Sequence, residues 1–116
     1  MFDYKHIPEE LADLSKEEDA KEAEKTSKLF LKIIGDRINK NQPTIARLYS
    51  KNAGNHYVVI VGIRYVSINK EEMPDAYIIN DPGRRNDKEK FTIDWQTRIY
   101  KNKNRKIIRL LFLDKK

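Results

Sequence analysis

The chain has 116 residues, 39% of them hydrophobic and 36% charged, with a net charge of +6 and no cysteine. That length fits one domain, 1–116, with a thin core under a charged surface, and the lack of Cys excludes disulfides, thiolate metal sites and thiol catalysis by this chain. No apolar run approaches the ~20 residues of a membrane span and Met1–Glu10 does not read as a signal peptide, so a cytoplasmic protein without membrane association is expected.

Pro8, Glu9 and Glu10 suit a first helical turn, predicting a short helix to about Leu14. Ser15-Lys16-Glu17-Glu18 matches a capping box, which predicts a long helix to about Asn39. Lys16 to Lys28 is nearly all charge and is expected to face solvent or another chain. Ala23, Ser27, Phe30, Ile34 and Ile38 form a stripe at helical spacing that should dock on a core. Gly35 interrupts the pattern and argues against an unbroken helix.

From Asn41 the period changes. Thr44 to Tyr49 alternates as a strand does, and His56 to Val66, rich in Val, Ile and Tyr, reads as a long, mostly buried strand. Ser67 to Asp75 reads as a charged connection containing Pro74, Ala76 to Asn80 as a third strand, and Asp81-Pro82-Gly83 as its stop. Arg84 to Lys90 reads as a charged loop, Phe91 to Trp95 as a short edge element, and Ile107 to Leu113 as the last strand. The order predicts an α+β fold: a helical region, 1–40, whose long helix packs on a four- to five-stranded antiparallel sheet, 41–116.

The chain has two histidines. His56 opens one predicted strand and Asp81 closes the next, so a hairpin between them sets both at one sheet end. A carboxylate beside an imidazole fixes its tautomer and raises its basicity, as in the orienting half of a nucleophile–base–acid triad. Two plainer readings stand beside this one. His56 is also an ordinary strand-end histidine, and Asp81-Pro82-Gly83 is also an ordinary turn.

The ordered motifs Gln42-Pro43-Thr44-Ile45-Ala46, Gly54-Asn55-His56-Tyr57-Val58-Val59-Ile60-Val61-Gly62-Ile63 and Tyr77-Ile78-Ile79-Asn80-Asp81-Pro82 resemble the C-terminal half of the papain-like cysteine peptidases. Within that superfamily the likeness is to the C39-like branch, which trims bacteriocin leaders. It covers about residues 41 to 95 and implies the sheet half of a papain-like fold, with His56 as inherited general base and Asp81 as its orienting residue. It also implies a nucleophilic Cys on a helix of an N-terminal lobe, and here that lobe has no counterpart: residues 1–40 fit only the family's linking helix. Ser15 does not replace it, because Glu17, Glu18 and Asp19 would disfavour an alkoxide and an N-cap role accounts for it.

Arg98, Lys101, Lys103, Arg105, Lys106 and Arg109, with Tyr100 among them, form a basic stretch that is either a solvated hairpin or a phosphate-binding patch. Arg84 and Arg85 would add to a basic face near the His56 end. Two histidines and no thiols make a metal site unexpected, and the four glycines are isolated, so no phosphate loop is predicted. No cofactor is expected. These features predict a non-catalytic papain-like domain that binds another protein, such as a small inhibitor of a bacterial or phage protein. Two alternatives remain: the His/Asp-bearing part of a split cysteine peptidase whose Cys lobe lies on another chain, and a nucleic-acid-binding protein using residues 98–109.

Overall fold

Asp19 starts the helix: its carboxylate accepts from the backbone N–H groups of Lys21 and Glu22, at 3.0 and 3.1 Å, and α1 then runs over Ala20–Asn39. The structure is a computed structural model describing the backbone of residues 2–6 and residues 19–82 and 92–112. The expected helix at Pro8–Leu14, the capping box at Ser15 and the residues Arg84 and Arg85 lie outside the described residues. Gly35 does not break α1; a Cβ there would stand 3.7 Å from Ile63 Cδ1, an ordinary packing distance.

The expected helix laid on a four- to five-stranded sheet is not what forms, and with it falls the expected sheet half of a papain-like fold. The domain is strand-dominated. Its strands are β1 (Phe2–His6), β2 (Thr44–Ser50), β3 (Gly54–Ile68), β4 (Glu71–Asn80), β5 (Thr92–Asp94), β6 (Ile99–Tyr100) and β7 (Arg105–Phe112). They join in one antiparallel sheet in the order β1-β7-β2-β3-β4-β5, with β6 also paired to β7. β5 and β6 come together, so the sheet curls into a nearly closed barrel.

Three features hid this from the sequence. β1 is a short charged segment, FDYKH, that only its pairing with β7 makes a strand. β6 is too short to show a period. The stretch Ser67–Asp75 is not a connection but the far half of a hairpin, closed by a two-residue turn at Asn69 and Lys70, both with positive φ (51° and 67°). Its acids and Pro74 masked the strand pattern. Pro74 is tolerated because β5 pairs only with Ala76–Ile78 and, among the described residues, no strand pairs the outer edge of β4 at that point.

The curled sheet encloses a core of Leu48, Val58, Ile60, Tyr77, Ile93 and Leu110, to which α1 contributes Phe30 and Ile34, both fully buried. Truncating Phe30 to Ala would cost about 3–5 kcal/mol. The helix is also tied by polar bonds at both ends. Ser27 Oγ donates to Gln96 O at 2.6 Å, and Arg37 Nε donates to Thr44 Oγ1 at 3.0 Å while its guanidinium stacks 3.9 Å over the Phe112 ring. The half of α1 expected to face solvent is thus docked from Ala23 onward. Among the described residues no helix is long and apolar enough to cross a membrane.

Arg98 is the largest enclosed side chain, 1% exposed. Its Nη1 donates to Ala23 O at 3.2 Å and to Ser27 Oγ at 3.4 Å, and its guanidinium lies 5.9 Å from the Phe30 ring centre. The backbone there takes a left-handed φ of 59°, held by Arg98 N to Asp94 O at 2.9 Å and Ile107 N to Arg98 O at 2.8 Å. Near Arg98 sits the Tyr77 hydroxyl, buried with no hydrogen-bond partner among the described residues. Burial pushes the Tyr77 phenol above its ordinary 10.0, and the Arg98 charge opposes that only in part.

Two predictions follow from this core. Arg98→Ala removes charged hydrogen bonds and leaves a cavity, and should cost about 3–5 kcal/mol in urea unfolding. Tyr77→Phe removes a hydroxyl that satisfies nothing and should leave stability unchanged or raised by up to about 1 kcal/mol. The folded state holds the phenol protonated, so its contribution is complete below pH 10.0 and fades as pH rises past that value, where the unfolded chain ionises. Tyr77→Phe should therefore flatten the alkaline fall in stability, and an unchanged fall would show that Tyr77 does not cause it.

Candidate functional site

His56 and Asp81 meet because of the β3–β4 register. The two strands align Val59 with Asn80, so Asp81, one residue past β4, comes level with Val58 and diagonal to His56 on the same face. His56 Nε2 and Asp81 Oδ1 are 2.9 Å apart. The His56 side chain is 19% exposed and that of Asp81 fully buried.

A third residue joins them. Tyr100 on β6 donates its hydroxyl to Asp81 Oδ2 at 3.1 Å and is itself fully buried. Each carboxylate oxygen thus receives a hydrogen bond, which offsets the cost of burying the carboxylate. With Nε2 held by Asp81, the ring's Nδ1 has no hydrogen-bond partner among the described residues. The local backbone is fixed as well. Gly54, at φ 71°, starts β3 in a conformation that costs other residues about 1–2 kcal/mol. Its carbonyl accepts from Arg105 Nε at 3.1 Å, and the Ala53 carbonyl accepts from Arg105 Nη2.

The basic stretch divides. Arg98 is enclosed in the core and Arg105 is spent on the Ala53–Gly54 carbonyls. Lys103 and Lys106 are half-buried, and Lys101 is exposed. Tyr100, placed in the sequence only as an aromatic among cations, was missed as a site residue. Its two-residue strand carries no periodicity, and only pairing to β7 turns it inward. No group of three or more His, Cys, Asp or Glu that could hold a metal occurs among the described residues.

The comparisons add no relative: no family model, no curated protein and no solved structure matches the chain. What the site can do chemically therefore rests on its geometry. An imidazole oriented by a buried carboxylate is a positioned base and hydrogen-bonding group with one nitrogen open. It has no thiol to activate, because the chain contains no Cys.

The cluster should behave as one unit. Tyr100→Phe leaves an oxygen of a buried carboxylate short of a donor and should cost about 1–3 kcal/mol. A double-mutant cycle of Tyr100→Phe with His56→Ala should show coupling of at least about 0.5 kcal/mol through Asp81. Additive losses would mean that the two contacts are independent.

Proposed function

We propose that the chain is a non-catalytic protein-binding module whose likeness to the C39-like peptidases lies in the order of its motifs and in His56 and Asp81 as inherited positions, and not in their fold. The observation that carries the binding reading is the far half of the β3–β4 hairpin. There Tyr65, Val66, Ile68 and Met73 stand 54%, 36%, 55% and 41% exposed on a ribbon that no other described strand covers. Val66, Ile68 and Met73, which faces Val66, share one side of the ribbon and Tyr65 stands on the other, and exposed apolar side chains grouped on a heavily charged surface mark an interaction site. Support for the inherited-geometry part is the 2.9 Å His56–Asp81 contact together with the order of the three motifs.

A second reading has one observation in its favour. The open Nδ1 of His56 is where a thiol supplied by another chain would approach, which suits the His/Asp part of a split peptidase. The nucleic-acid reading is left with fewer free cations, since Arg98 and Arg105 are committed to internal bonds.

The test has two arms. The purified chain should hydrolyse no peptide, and cleavage abolished by His56→Ala would overturn the non-catalytic reading. Captured partners should be lost with Tyr65→Ser/Met73→Ser and kept with His56→Ala. The reverse pattern, with a co-purifying Cys-bearing chain whose alkylation slows on His56→Ala, would favour the split enzyme.

A further inference from the structure

The two edges of the β3–β4 ribbon differ in a way that its apolar content alone does not explain. β3 pairs with β2 only as far as Ile60, where it faces Thr44, and β4 pairs with β5 only over Ala76–Ile78. Beyond both limits the two strands pair only with each other among the described residues, from Tyr65–Pro74 to Ile68–Glu71. Both outer edges of the ribbon therefore present backbone N–H and C=O groups without strand partners among the described residues.

The β4 edge is guarded. Residues 71–75 read Glu-Glu-Met-Pro-Asp, so three carboxylates and a residue with no N–H stand on it. Charges and Pro are the devices that stop an edge from accepting another strand. The β3 edge has no Pro and a single charge. Residues 61–68 read Val-Gly-Ile-Arg-Tyr-Val-Ser-Ile, and their one charge, Arg64, is already neutralised: its Nε and Nη2 donate to Asp75 Oδ2 at 2.7 and 2.6 Å. In a chain of net charge +6, this edge is a neutral strip.

We infer that the β3 edge is a self-pairing surface, at which a second copy of this chain adds its own residues 61–68 as an antiparallel strand. This rests on reading the ribbon as a protein-contact surface and names its occupant. Three observations select a second copy. Mutual repulsion between two +6 chains spares this strip, because its only cation is internally paired. Antiparallel pairing of one segment with itself is two-fold and isologous, so the guarded β4 edge stays outside it and the assembly closes at two copies. A seam centred between Arg64 and Tyr65 brings Ile68 of each copy opposite Val61 of the other. Val61 borders a groove of about 240 Å³ lined also by Asn41 and Gln42 and by the apolar Ile38, Pro43, Val59 and Ile60, and its apolar part gives the incoming side chain somewhere to bury. The register shift between Ile60 and Gly62 places Val61 at a bulge, where β3 leaves β2.

A seam of eight residues a side is smaller than a standard protein interface, so the dimer should form with a dissociation constant on the order of micromolar or weaker. The full chain should show a monomer–dimer equilibrium in sedimentation velocity. Amide exchange over residues 61–68 should slow as concentration rises, while that over residues 71–75 should not. Val61→Lys/Ile68→Lys alters two side chains that are 54% and 55% exposed and so should fold normally. It should weaken dimerisation at least about tenfold by setting like charges across the seam. A chain that stays monomeric at all concentrations would overturn the inference, as would a dimer indifferent to the double lysine variant. A monomer whose ribbon still captures another protein, sensitive to Tyr65→Ser/Met73→Ser, would overturn self-pairing alone and leave the binding reading standing.

Discussion

The pairing of β3 with two neighbours of different length is the constraint on which the rest of the structure depends. Over Gly54–Ile60 it is clamped to β2, and over Val59–Ile68 to β4. The first pairing presents Val58 and Ile60 to the core and fixes His56 at the start of the strand. The second brings Asp81 back beside His56. Just past their overlap, the bulge at Val61 increases twist and lets the sheet curl. A one-residue slip in either register would turn Val58 and Ile60 outward and separate His56 from Asp81. Core and site are therefore specified by the same hydrogen bonds.

Two polar groups are built into that small core at some cost. The Asp81 carboxylate and the Arg98 guanidinium are both enclosed, in a domain whose hydrophobic fraction is only 39%. Neither is a net source of stability in the way Phe30 or Leu110 is, since burying a charge loses hydration that hydrogen bonds recover only in part. What they supply is position. Arg98 ties the β5–β6 connection to α1 through Ala23 and Ser27, and that connection delivers Tyr100 to Asp81. The helix and the His56 cluster are thus linked through the turn that closes the barrel, although they share no direct contact described above.

Much of the site was legible in the sequence and much of the fold was not, for a common physical reason. Thr44–Tyr49 announces itself because one face is buried and its residues alternate, and His56–Val66 because its residues run apolar, although only Val58 and Ile60 in it are buried and the expected burial of its outer half does not form. Reading His56–Val66 and Ala76–Asn80 as neighbours in a hairpin is enough to place His56 near Asp81. Barrel closure, by contrast, is made by strands that carry no such pattern. β1 is charged, β5 and β6 are three and two residues long, and the outer half of β4 is acidic. Such segments are strands only because a neighbour offers its edge. Arg98 shows the limit most sharply: in sequence it belongs to a run of cations, and only the fold separates it from exposed Lys101.

The same logic gives meaning to the residues the sequence pattern obscured. Glu71, Glu72, Pro74 and Asp75 hid a strand from periodicity because they are unsuited to the middle of a sheet, and that unsuitability is their role at an edge. Were the ribbon merely an extension that solvent tolerates, both of its edges would need the same protection. Guarding β4 while leaving β3 neutral and apolar is what a surface does when it admits a strand on one side only. Asp75 serves both ends of this arrangement: it adds charge beside Pro74 and cancels the one charge, on Arg64, that would otherwise discourage approach to β3.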